Sequence, residues 1–127
     1  MTMSVPITAL YAGVLGLLSV LLANLVLHSR LRAARLPDWK PEAMLRVQAN
    51  FVENVPLALI LMLVLELQQV APAVLHGFGA ALVLCRLLHA WGLGAYPGAN
   101  YPRLIGAQGT FLVVSIMAVA AVYGFAW

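Results

Sequence analysis

Charge is what this sequence has least of. Its 127 residues include four acids and seven bases, so charged residues make up 9% of the chain while hydrophobic ones make up 64%. A soluble domain is nearer a quarter charged and half apolar. So few ionic groups cannot dress a water-facing surface, which excludes a soluble globular enzyme and points to an integral membrane protein. Nor are there enough bases for the basic face that nucleic acid requires. The single cysteine, Cys85, permits no intrachain disulfide, and in its very apolar run it reads as a small packed hydrophobe. No grouping of Cys, His and acid has the spacing of a zinc site, so no metal is expected. The first apolar run lacks a basic leader and is read as a structural span.

What the chain does have is long apolar runs. A bilayer core is crossed by about 20 mainly apolar residues, and four stretches qualify, at about 7–27, 45–67, 73–93 and 104–125. The expected fold is all-α, a single domain over 1–127 that forms a four-helix membrane bundle. The link 68–72 is short enough to make the second and third runs an antiparallel hairpin. The link 28–44 is basic and holds Pro37 and Pro41. The third link, GLGAYPGANYPR, is too rich in Gly and Pro to be helical throughout, and its Pro102 suits a helix start. Trp39, Trp91, Tyr96 and Tyr101 lie near run ends, where aromatic rings favour the membrane interface. His28 and His76 also lie at run ends. Arg30, Arg32, Arg35 and Lys40 all fall in the first link. By the positive-inside rule that link is cytoplasmic, both termini are outside, and the third link is on the cytoplasmic side. The other three bases, Arg46, Arg86 and Arg103, then gather at the cytoplasmic end of the bundle, where an anionic ligand would meet them.

The second run opens with RVQANFVENVP. On a helix Arg46, Asn50 and Glu53 fall within a stripe of about 60°, with Asn54 beside them and Gln48 turned toward a different neighbour. A charge at a span's centre costs about 2.5–3.5 kcal/mol even on the lenient insertion scale, so the stripe must face other helices or a wet cavity. One reading is an internal staple in which Arg46 and Glu53 neutralise each other through Asn50; such polar contacts between membrane helices are worth about 0.6 kcal/mol each. The other is a binding site. Pro56 frees a carbonyl one turn back, giving either a tolerated kink or a bend that aims the stripe. Arg86 and His89 share a face of the third run, as core residues or as ligand contacts. Arg103 adds its charge to the positive end of the fourth helix's dipole. That suits a bound anion or a thiolate; a snorkelling interfacial arginine is the alternative.

The pattern R-x-Q-x-N-x-x-E in RVQANFVENVPLALI, near the start of the second of four spans, resembles the MAPEG family, the membrane-associated proteins in eicosanoid and glutathione metabolism, and in particular its bacterial branch. RLLHAWGL near the end of span three and Arg103 at the start of span four are further points of similarity, and the resemblance covers essentially the whole chain. It implies a homotrimer with a glutathione site between neighbouring subunits. Arg46, Gln48, Asn50 and Glu53 match glutathione-contacting positions. Their chemistry fits, with Glu53 for the tripeptide's ammonium and the arginines and amides for its carboxylates. Arg86 matches an arginine of the third span, His89 a position held by histidine or tyrosine, and Arg103 the arginine that holds the sulfur as thiolate. Arg30 or Arg32 matches a further arginine at the end of span one. Leu93 departs from the pattern, because active members often carry tyrosine there; Tyr96 or Tyr101 would have to reach the same space.

The function expected from the resemblance is a glutathione-dependent transferase or peroxidase of the bacterial inner membrane. Glutathione is its co-substrate, Arg103 its catalytic residue, and a lipophilic electrophile or hydroperoxide reaches it from the bilayer. A catalytically inactive glutathione-binding or membrane-organising protein of the same fold is the alternative, which Leu93 favours. A small four-span drug exporter would need an acid in the first span for proton coupling, and that run has only Asn24.

Overall fold

Each apolar run hides one narrow seam, its positions spaced three or four residues apart in the second, third and fourth runs and seven and four apart in the first. In the second run it is Phe51, Val55, Ala58, Met62 and Leu65; in the first, Leu15, Leu22 and Val26; in the third, Leu75, Gly79 and Leu82; in the fourth, Gly106, Thr110, Val113 and Met117. That spacing keeps one face of a 3.6-residue helix turned to its neighbours. The computed structural model describes residues 4–35, 42–95 and 101–125. It forms four helices, α1 (Pro6–Arg35), α2 (Glu42–Leu67), α3 (Pro72–Ala95) and α4 (Tyr101–Phe125). All four are long and apolar enough to cross a membrane. Large apolar side chains such as Leu17, Val20, Leu112, Val119 and Val122 lie exposed on the outside of the bundle, which fits a surface solvated by lipid.

The helices alternate in direction. α3 and α4 pack most extensively, α2 touches all three others, and α1 and α4 make no contact among the described residues. The C-terminal ends of α1 and α3 and the N-terminal ends of α2 and α4 therefore share one end of the bundle.

Helix ends differ from expectation where the chain leaves the apolar runs. α1 continues through SRLRAAR to Arg35, well past residue 27, and α2 starts at Glu42. Leu, Arg and Ala are good helix formers with no breaker among them, so polarity alone does not stop the helix. α3 likewise runs through Gly92 and Gly94 to Ala95, just short of the Tyr96–Pro97 pair. Pro102 stands in the first turn of α4 and Pro72 begins α3, positions where no helical N–H bond is lost. α2 carries Pro56 in its interior and stays helical on both sides. Pro37, Trp39, Lys40, Pro41 and Tyr96 lie outside the described residues.

The end remote from the arginines is closed by two capping devices. The Glu66 carboxylate accepts the Ile7 N–H at 3.0 Å and the Thr8 N–H at 2.9 Å. An acid late in α2 thus caps the positive end of α1. α2 itself ends in a paired turn: the Val70 N–H bonds the Leu65 carbonyl at 3.1 Å and the Gln69 N–H bonds the Glu66 carbonyl at 3.0 Å. Closing that turn puts Gln69 at φ 64°, a left-handed position that glycine fills without strain. Gln69→Gly should raise stability by about 1 kcal/mol. An increase in the melting temperature of the detergent-solubilised protein would register it, and a decrease would contradict this account of the turn.

Candidate functional site

Depth places the polar side chains together. Asn50 lies eight residues into α2, Arg86 nine before the end of α3, and Thr110 nine into α4. At a rise of 1.5 Å per residue each is about 12–14 Å from the same end of the bundle. Arg86 continues the α3 seam after Leu75, Gly79 and Leu82, at a position where the spacing calls for another apolar residue. Its side chain is 1% exposed. Nη1 donates to Asn50 Oδ1 at 2.7 Å and to Thr110 Oγ1 at 3.3 Å, while Nη2 lies 3.5 Å from His89 Nδ1. The guanidinium carbon sits 5.7 Å from the centre of the Phe51 ring, within cation–π range. One cation thus ties α2, α3 and α4 through neutral partners. No carboxylate pairs with it among the described residues, and its Nε is buried without a hydrogen bond.

The Arg86 contact fixes Asn50. Because Oδ1 accepts from the guanidinium, the two hydrogens of Asn50 Nδ2 remain to donate elsewhere. The Asn50 backbone carbonyl accepts from Asn54 Nδ2 at 2.8 Å, half a turn before Pro56. Thr110 is equally constrained. Its hydroxyl donates to the Gly106 carbonyl at 2.7 Å, so toward Arg86 it acts only as acceptor. His89 is also buried, at 3% exposure.

The remaining α2 residues of the motif turn outward. Arg46 and Glu53 are exposed on the single chain, while Gln48, Asn50 and Asn54 are half-buried. Arg46 and Glu53 are seven residues apart, about 10 Å along the axis. No ion pair joins them among the described residues, and Asn50's side-chain oxygen goes to Arg86 instead. The internal staple imagined from sequence is therefore replaced by an inter-helix one centred on Arg86. Arg30 is exposed near the end of α1. Arg103 stands in the first turn of α4 and Leu93 in the last turn of α3, both toward the shared end of the bundle; their side chains lie outside the described ones. Arg103 is about 10 Å nearer that end than Thr110.

Sequence reasoning missed Thr110, Phe51 and Gly106. A signal was present in GAQGT, where small residues recur three and four apart inside a span, the spacing that lets membrane helices approach closely. Asn24 bonds the Val20 carbonyl of its own helix at 3.0 Å, which accounts for it without a site. His76 accepts or donates at Nδ1 with the Tyr11 hydroxyl at 3.0 Å, in the half of the bundle remote from Arg86.

The model for the family described as the MAPEG family matches residues 8–123. Comparison with curated proteins and with solved structures found no match.

Proposed function

The chain belongs to the MAPEG family, and on that premise we propose that it is a glutathione-dependent membrane transferase or peroxidase. One observation carries the reading: α2 leaves Arg46, just before its apolar span, and Glu53, within it, on an uncovered polar face on either side of Asn50, whose oxygen is held by the buried Arg86. Ionisable groups left open to lipid are costly, and by default they mark a site. A zwitterionic tripeptide suits this set. Glu53 takes the ammonium, and Arg46, Gln48 and the Asn50 amide take carboxylate or carbonyl oxygens. Arg30, His89 and Arg86 complete the surroundings. A homotrimer with its sites between subunits would cover the α2 face, and an inner-membrane orientation with both termini periplasmic would open the site to the cytoplasm.

The chemistry asked of the protein is small. Arg103, in the first turn of α4 and beside its unpaired N–H groups, stabilises the thiolate of bound glutathione. The thiol proton leaves to solvent. The sulfur then attacks a lipophilic electrophile, displacing its leaving group or adding to it with a proton from solvent, or attacks the outer oxygen of a hydroperoxide. With the hydroperoxide an S–O bond forms, the O–O bond breaks, and the alkoxide takes a proton from solvent and leaves as the alcohol. A second glutathione converts the resulting sulfenic acid to the disulfide and water. Leu93, where tyrosine would donate to the ligand, favours a second reading in which glutathione binds without turnover.

The test is a difference-absorbance titration of the purified protein with glutathione near neutral pH. A saturable thiolate band is expected. Calorimetric binding without that band would support the silent binder, and no signal in either measurement would overturn the glutathione reading.

A further inference from the structure

Thr110 is fully buried, and its own helix explains only half of its chemistry. A threonine in a span commonly donates its hydroxyl to the carbonyl four residues back, and Thr110 does so to Gly106. That bond satisfies the proton. It leaves the oxygen lone pairs, and these are directed at Arg86 Nη1. The same nitrogen donates to Asn50, so its two hydrogens are shared between α2 and α4. With the Thr110 hydrogen committed to Gly106, the contact can run in one direction only. The guanidinium in turn holds Asn50 by its oxygen, and the amide's N–H groups face away from the cation. No hydrogen bond from Asn50 Nδ2 to another described residue accompanies this arrangement.

We propose that Thr110 is a positioning residue of the site: it anchors Arg86, and Arg86 orients Asn50 so that Nδ2 donates to a carboxylate or carbonyl oxygen of the bound tripeptide. The proposal rests on the glutathione reading and adds a polarity to it. Asn50 is a donor in this site, and Arg86 serves the ligand through Asn50 and not by touching it. The geometry favours this over direct contact because the guanidinium is enclosed by Asn50, Thr110, His89 and Phe51. An amide held from behind by a cation is also a stronger donor in front, since hydrogen bonds in a chain polarise one another.

The test measures the glutathione dissociation constant by calorimetry, alongside the melting temperature, for the wild type, Thr110→Ser, Thr110→Val and Asn50→Asp. Serine keeps the acceptor and should bind within about threefold of the wild type. Valine keeps the volume and removes the acceptor, and should bind roughly tenfold more weakly. Asn50→Asp keeps an acceptor for Arg86 but has no N–H, and it sets a negative charge against the ligand; binding should fall by about a hundredfold or more with the melting temperature retained. A merely structural Thr110 would lower the melting temperature of the valine variant and leave the dissociation constant alone, which overturns the proposal. If the valine variant does not assemble, Thr110→Ala takes its place with the same expectation, and Asn50→Asp binding as the wild type would overturn the donor assignment independently. Loss of binding in the wild type itself would remove the glutathione reading, and this proposal with it. Normal wild-type binding with indifferent variants would remove the proposal alone.

Discussion

Arg103→Ala should eliminate the thiolate absorbance of bound glutathione at neutral pH while changing its dissociation constant by no more than about threefold. The argument is electrostatic. A free thiol, with a pKa of about 8.5, is only a few per cent ionised at pH 7, so a site that displays a thiolate must supply positive charge. On the proposed reading the first turn of α4 would supply part of it through unpaired N–H groups, and Arg103, placed in that turn, would supply a full unit. Removing it returns the sulfur toward its solution behaviour, and the rate with an electrophile should fall about 10–100-fold at pH 7. The sign of the pH dependence follows. A cation favours the ionised thiol, so the wild type should keep its activity to lower pH than the variant, and the alanine variant should recover rate as the pH rises. Arg103→Lys retains the charge and should retain much of the band. Affinity should be spared because, on the proposed reading, Glu53, Arg46 and the amides would hold the tripeptide's ammonium and carboxylates. An undiminished thiolate band in Arg103→Ala would take the catalytic role away from this residue.

The fold was legible in the sequence because the bilayer imposes a length. Four apolar runs of about 20 residues could be counted directly, and four helices occupy them. Their ends were not legible by the same rule, since apolarity marks the membrane and not the helix. Hence α1 runs on through Arg30 and Arg32 to Arg35, past the end of its apolar run. The candidate site was legible one helix at a time. Spacing within α2 placed Arg46, Asn50 and Glu53 together, and spacing within α3 placed Arg86 with His89. What spacing cannot give is the rotation of one helix against the next. The Asn50–Arg86 contact joins residues 36 apart in the chain, and the Arg86–Thr110 contact joins residues 24 apart. Without those rotations an Arg46–Glu53 pair stayed open as one of two readings, and Thr110 went unremarked. Glu66 was hidden for the same reason, since its partners are backbone N–H groups on another helix.

Gly106→Ala should be the most damaging single methyl among the described glycines. Helices in a bilayer gain little from hydrophobic burial against each other and depend on close contact instead. α3 and α4 form the most extensive pair, and Gly106 is where their backbones meet. A Cβ added there would stand 2.5 Å from the His89 nitrogen and 2.6 Å from the Cys85 carbonyl oxygen. Both are main-chain atoms inside a helix, so neither can swing aside and the helices must separate. Overpacking of this kind costs about 1–3 kcal/mol. The Thr110 bond to Arg86, already 3.3 Å long, would be lost in the same movement, so glutathione binding should weaken along with stability. Two other glycines calibrate the result. At Gly109 the added methyl meets the Cys85 sulfur, a side-chain atom that can turn away, and a smaller loss is expected. At Gly16 nothing lies within 4 Å, and alanine should be neutral or should stabilise α1 by up to about 1 kcal/mol through helix propensity. The order of melting temperatures should therefore run Gly16→Ala, Gly109→Ala, Gly106→Ala from highest to lowest. If Gly106→Ala melts with Gly16→Ala, the backbones of α3 and α4 do not meet at Gly106, and the close approach that brings Thr110 to Arg86 is not a feature of the folded protein.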